Sequence, residues 1–115
     1  MSESELQREI MIAVTKAGGR VFRNNVALAW VGQHQHGDGV VILRHARVLH
    51  AGLCVGSSDL IGYYRGRFLA IECKSPKGRA TQEQKNFIDQ VNAAGGIGII
   101  ARSVAEVLEA LREAV

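Results

Sequence analysis

Glu72 and Lys74 stand two apart at the end of the apolar run Phe68-Leu69-Ala70-Ile71-Glu72-Cys73-Lys74. Strand alternation puts Phe68, Ala70, Glu72 and Lys74 on one face and the oilier Leu69, Ile71 and Cys73 on the other. A charge at the end of a strand that otherwise reads as buried is costly to leave alone, so Glu72 and Lys74 need each other, a metal or solvent. Taken by themselves they would make an ordinary ion pair of little energetic consequence. Asp59 changes that reading. Arg65-Gly66-Arg67 separates the run from Asp59-Leu60-Ile61-Gly62-Tyr63-Tyr64, and the two segments read as an antiparallel hairpin that sets Asp59 across from Glu72. Two carboxylates converging from adjacent strands form an oxygen-rich site for a hard cation such as Mg²⁺. A neighbouring lysine can orient an attacking water or stabilise charge on a phosphate, which suits metal-assisted hydrolysis of a phosphodiester.

The elements that must position these residues can be read from periodicity. Leu6, Ile10, Ala13, Val14 and Ala17 fall on one helical face, with Ser2 and Glu5 placed as a capping box and Gly18-Gly19 as the stop. Short β-prone runs follow at Val21-Phe22, Val26 to Val31, Val40 to Leu43 and Val48-Leu49. The segment Gly32 to Gly39 reads as an exposed turn between two of them, and Val26 to Val31, with Trp30, reads as a core strand in preference to its alternative, an apolar dimer surface. After the hairpin, Thr81 opens a second helix with Gln84 at the capping-box position and Phe87, Ile88, Val91 and Ala94 on its apolar face. Gly95-Gly96 ends it. Ile97 to Ala101 is a buried-strand run, and Ser103 with Glu106 caps a last helix bearing Val104, Val107, Leu108 and Leu111. The predicted order is α-β-β-β-α-β-α, an α/β layer structure.

The chain has 115 residues, of which 47% are hydrophobic and 22% charged, values that argue against a disordered or fibrous chain and leave no room for a separate cofactor domain. No apolar run is long enough to span a bilayer, and the first nine residues are acidic and polar, unlike a secretory signal, so the expected location is cytoplasmic and no membrane partner is expected. Cys54 and Cys73 are too few for a disulfide framework and are expected to be reduced and structural. The net charge of +3 conceals an uneven distribution. Residues 16–80 hold ten Lys and Arg against three Asp and Glu, a local balance of +7, while each end is −2. A basic centre suits a polyanion, with nucleic acid foremost.

Gly56-Ser57-Ser58-Asp59, then Glu72-Cys73-Lys74, then Thr81-Gln82-Glu83-Gln84, all preceded by the acidic first helix Glu3-Ser4-Glu5-Leu6-Gln7, together resemble the PD-(D/E)XK nuclease superfamily. Within it the chain is most similar to a stand-alone VRR-NUC domain of the phage and bacterial type, which would place it in a bacterial or phage-infected cell. The resemblance runs from Glu3 to the last helix and treats residues 1–115 as a single VRR-NUC-like nuclease domain. It implies a restriction-endonuclease-like core, a mixed β-sheet flanked by helices. It also implies that Asp59 and Glu72 bind Mg²⁺ or Mn²⁺, with the Cys73 backbone carbonyl completing the shell, that Lys74 is the catalytic lysine, and that Gln84 is the family's helical glutamine. A plain capping role is the alternative for Gln84. The family's first-helix acid, which the resemblance implies is a further catalytic and metal-binding group, falls on Glu3, which shares a face with Leu6 and Ile10, while Glu5 fits the cap. Ser58 stands where the family usually has proline.

The implied activity is that of a metal-dependent endodeoxyribonuclease. Minimal domains of this family resemble Holliday-junction resolvases, which act as homodimers, so the expected substrate is branched DNA such as a four-way junction. Arg23 and Asn24 match a strand that contacts DNA, or else a satisfied turn. Lys77 and Arg79 lie in the loop just beyond the site, where they can reach phosphate. A catalytically silent nucleic-acid-binding module with the same fold is the alternative. Aromatic residues amount to only 5%, little for stacking single-stranded RNA. His34-Gln35-His36-Gly37-Asp38 is like a zinc-hydrolase motif but has Gly39 where the next histidine would stand, and it reads as a solvent loop.

Overall fold

A computed structural model describes residues 1–37 and 39–115, with Gln35 and His36 described in their backbone alone. Asp38 and the side chains of Gln35 and His36 therefore lie outside the described residues, and with them most of the histidine motif. The elements are helix α1 (Glu3–Lys16), strands β1 (Arg20–Arg23), β2 (Ala27–Gly37), β3 (Val40–Ala51), β4 (Leu60–Tyr64) and β5 (Arg67–Cys73), helix α2 (Gln82–Ala93), strand β6 (Ile97–Ala101) and helix α3 (Val104–Glu113).

The main sheet has the order β1-β4-β5-β6, antiparallel except for the β5–β6 pair, which is parallel. With β2 and β3 set apart, its strands and the helices run α-β-β-β-α-β-α, as predicted. The β4–β5 hairpin turns through Arg65 and Gly66, whose φ values of 50° and 77° are the left-handed pair that a two-residue turn needs to match the strand twist. Gly62 lets β1 approach β4: a Cβ there would lie 1.8 Å from the Arg20 carbonyl oxygen. One face of the sheet, carrying Leu69, Ile71 and Cys73, packs with Leu6, Ile10 and Val14 of α1 and Val107 and Leu111 of α3. The other face meets α2 through Ala70, Ile88 and Val91. All three helices begin with a side-chain cap, from Ser2, Thr81 and Ser103, and the first two are complete capping boxes.

Two expectations are corrected. Val26 to Val31 is not a core strand, and Gly32 to Gly39 is not simply a turn. The chain stays extended from Ala27 to Gly37, and Val40–Leu43 and Val48–Leu49 fuse into one strand, β3, which pairs with β2 as a separate two-stranded ribbon. The physical reason lies in the pairing: backbone hydrogen bonds run the length of the hairpin whatever its side chains are, and a bulge near His45 (φ 54°) absorbs the one-residue mismatch between the strands. Trp30 is 65% exposed and Leu28 70%. Among the described residues the ribbon packs on no other helix or strand beyond isolated touches, and it helps draw the molecule out to 54 × 29 × 27 Å.

Candidate active site

Strand β5 delivers Glu72 and Lys74, and β4 begins one residue after Asp59. The pairing of Leu60 with Ile71, continued one step, brings Asp59 opposite Glu72. Asp59 Oδ2 accepts a 3.0 Å hydrogen bond from the Cys73 N–H, locking the two strand ends together. A strand residue's N–H and C=O leave from the same edge, so the Cys73 carbonyl is turned toward this carboxylate as well.

Glu72 is only 1% exposed and lies on the α2 side of the sheet. Its Oε1 is held by the Lys74 ammonium at 3.3 Å and by the Gln84 amide Nε2 at 3.1 Å. The other oxygen, Oε2, is buried and has no hydrogen-bond partner among the described residues. Burial and the nearby Asp59 charge push the Glu72 carboxyl up to about 7, against the pull of Lys74. The carboxylates and the inward-turned backbone oxygen could hold a hard divalent cation, which would relieve both the repulsion between the acids and the stranded oxygen. Among the described residues no three His, Cys, Asp or Glu side chains converge as a metal cluster, so the acidic centre is a pair.

Gln84 is a capping-box residue that also touches the acidic pair: its Oε1 accepts from the Thr81 N–H, while its Nε2 reaches Glu72. Glu5 completes the cap with Ser2. Glu3, one turn before Leu6, instead accepts from the Ser75 N–H at 3.2 Å, tying α1 to the loop that leaves β5. Cys73 is fully buried, and desolvation followed by the charges of Asp59, Glu72 and Glu3 pushes its thiol up to about 12, so it stays a thiol and packs as an apolar group. Cys54 is exposed.

Asn24 sits at the hub of the segment that leads into Asp59. Its amide donates to Ser57 Oγ (2.8 Å) and to the Ser58 carbonyl (2.9 Å), its Oδ1 accepts from the Leu53 N–H, and its own N–H bonds to the Asp59 carbonyl. This is the satisfied turn that stood as the alternative to a DNA contact. Arg23 donates to Gln7 Oε1 at 2.7 Å, bridging β1 to α1. Lys77 and Arg79 are exposed on the loop after β5.

Sequence reasoning missed the groups that brace the site. Arg102 donates through one guanidinium nitrogen to the carbonyls of Ser75 (2.6 Å) and Gly78 (2.7 Å), clamping the loop that carries Lys77 and Arg79. The available signal was its place just past a buried strand run, at the carboxyl end of a parallel pair, where sites of α/β sheets gather. Gly56, with φ 86°, stands in the motif leading to Asp59, but its packing role was not read from the sequence: a Cβ there would fall 2.7 Å from the Glu83 backbone, so only glycine lets the pre-Asp59 loop rest on the start of α2.

Nothing among curated proteins matches the chain. The VRR-NUC domain, a restriction-endonuclease-like fold, matches residues 40–105, from the start of β3 to the start of α3 and across Asp59, Glu72, Lys74 and Gln84. That is more than half of the chain, and it joins the paired carboxylates, their lysine and their glutamine in one arrangement: the protein belongs to the VRR-NUC domain family and has a nuclease-type function.

Proposed function

We propose that the protein is a divalent-metal-dependent DNA endonuclease that hydrolyses phosphodiester bonds in branched DNA, four-way junctions included, as a homodimer. The observation that carries the chemistry is the buried Glu72 carboxylate opposite Asp59, with one oxygen held by Lys74 and Gln84 and the other left without a partner. Asp59, Glu72 and the Cys73 carbonyl would hold Mg²⁺ or Mn²⁺. That ion would supply positive charge to a phosphate oxygen and acidify water at neutral pH. Gln84 fixes the rotamer of Glu72 so that Oε2 stays turned to the site. Lys74, tethered to Oε1, is the group that positions the attacking water or offsets charge building on the phosphate. Glu3 and Arg102 hold the following loop, whose Lys77 and Arg79 bind the DNA backbone, and Arg23 adds to that surface from β1.

The test is cleavage of labelled four-way junction, flap and linear duplex DNA with Mg²⁺, Mn²⁺ or EDTA, run alongside Asp59→Ala and Glu72→Ala. Metal-dependent cutting of the junction that falls below detection in both variants, with far-ultraviolet circular dichroism unchanged, is the expected outcome. Full activity in either variant overturns the assignment of the site, and equal rates on linear duplex and junction remove the branched-DNA claim.

A further inference from the structure

The β2–β3 ribbon poses a problem that the nuclease site does not solve. A two-stranded hairpin is marginal in water unless another layer covers it, yet this one stands about 37 Å long and, among the described residues, packs neither face on the body beyond isolated touches. Its register sorts the side chains into two unlike faces. On one lie Leu28, Trp30, Val41, Leu43 and Val48 with His34 and His50, and, among the described residues, no Lys, Arg, Asp or Glu. On the other, Arg44, Arg47 and Gln33 interrupt Val31, Ile42 and Leu49. Trp30 pairs with Val48, and Leu28 with His50, so the exposed apolar groups of the first face are adjacent.

This apolar surface does not stop where the ribbon ends. A cleft of about 210 Å³ at its base is lined by Leu28 and His50 together with Leu53 and by Val55, which is 78% exposed. Leu53 also borders a second apolar cleft of about 460 Å³, between α2 and β5, with Phe68 and Phe87. An apolar tract running from ribbon to body is the signature of an association surface. Nucleic acid is the wrong occupant for it, because the fixed positive charges a phosphate backbone needs lie on the opposite face.

We propose that the Trp30 face of the ribbon, with the Leu53–Val55 shoulder at its base, is the surface on which a second copy of this chain docks, an inference that rests on the homodimer proposed above and gives it a place. A face without fixed charge can meet its own copy without repulsion, and a two-fold pairing of identical faces buries Trp30 on both sides. The ribbon face alone projects on the order of 400 Å². Side-chain relief and the shoulder carry it toward the roughly 800 Å² per partner of a stable interface. The interface then adjoins the site, since the Leu53 N–H is bonded to Asn24, which holds the residues entering Asp59.

Trp30 is the only tryptophan, so its emission reports on this face directly. The experiment is sedimentation of the full chain, without DNA or metal, across nanomolar to hundred-micromolar concentration, with fluorescence read on the same samples. A dimer with blue-shifted emission is expected, passing on dilution to a monomer with solvent-exposed emission. Leu28→Asp, and separately Val48→Asp, should raise the dissociation constant by about thirtyfold or more. Arg47→Glu, on the opposite face, should dissociate as the native chain does. A monomer at every concentration overturns the proposal, as does a dimer whose Trp30 remains solvent-exposed. A blue shift that requires duplex DNA overturns it in favour of a nucleic-acid contact. No cutting is measured, so a monomer removes the homodimer but leaves the nuclease chemistry standing, and a dimer that never cuts leaves this interface standing.

Discussion

Strand β5 has a strand on either side and helices over both faces, whereas β2 and β3 have only each other. In the first setting, burial leaves a glutamate short of partners: Glu72 lies where water cannot solvate it, and among the described residues protein groups hold only one of its oxygens. In the second setting, residues just as apolar as those of the core stay in water, and their free energy of burial is left for association. On the proposals above, one chain would place its chemistry where solvent is excluded and its capacity for contact where solvent is still to be displaced.

The contrast breaks or sharpens on stability first. Ile71→Ala, in the layer between β5 and α1, should cost about 2–5 kcal/mol in denaturant unfolding. Leu28→Ala, studied at dilutions where the chain is monomeric, should stay within about 0.5 kcal/mol of the native chain. Equal losses at the two positions would mean that the ribbon is part of the cooperative unit and erase the distinction.

A smaller effect follows from protonation. Folding raises the Glu72 carboxyl from 4.5 to about 7, so the folded state holds this proton more tightly than the unfolded chain does. The stabilisation is complete below about 4.5 and is lost as pH rises through about 7. The melting temperature of the metal-free protein should therefore fall across that interval. Glu72→Gln should flatten the fall, and saturating Mg²⁺ should restore stability at the upper end. A Glu72→Gln profile as steep as the native one would assign the titration to another group.

Smallest is the contribution of the loop cations. Lys77→Ala and Arg79→Ala should each lower the dependence of log binding constant on log salt by about 0.9 if each meets one phosphate. Titration of DNA at several salt concentrations measures this, and an unchanged slope would remove that loop from the DNA surface.

The core sheet, the helices and their caps were legible because local and long-range signals agree there. The β4–β5 turn has its glycine, Ser2, Thr81 and Ser103 have their third-position partners, and the alternation of Leu69, Ile71 and Cys73 against Ala70 and Glu72 matches two covered faces. Periodicity placed Glu72, Lys74 and Asp59 in one region because a hairpin fixes its register by its turn. The ribbon was misread because an apolar strand facing an absent layer has the same composition as one facing a present layer. The braces were missed for another reason. Arg102 and Gly56 work through backbone carbonyls and a close backbone approach, which have no side-chain identity to read in a sequence.

The bond from Ser75 to Glu3 joins residues 72 apart, and Arg102 grips the same loop from the far side, while the Lys74 N–H is tied to the Ala101 carbonyl. During synthesis the ribbon can zip as soon as residue 51 has emerged, since its pairing is entirely local. The strand end bearing Glu72 and Lys74 gains its last supports only when residues 101 and 102 are out. The proposed site would therefore be completed late in folding, after the pairing that forms the proposed docking face has become possible.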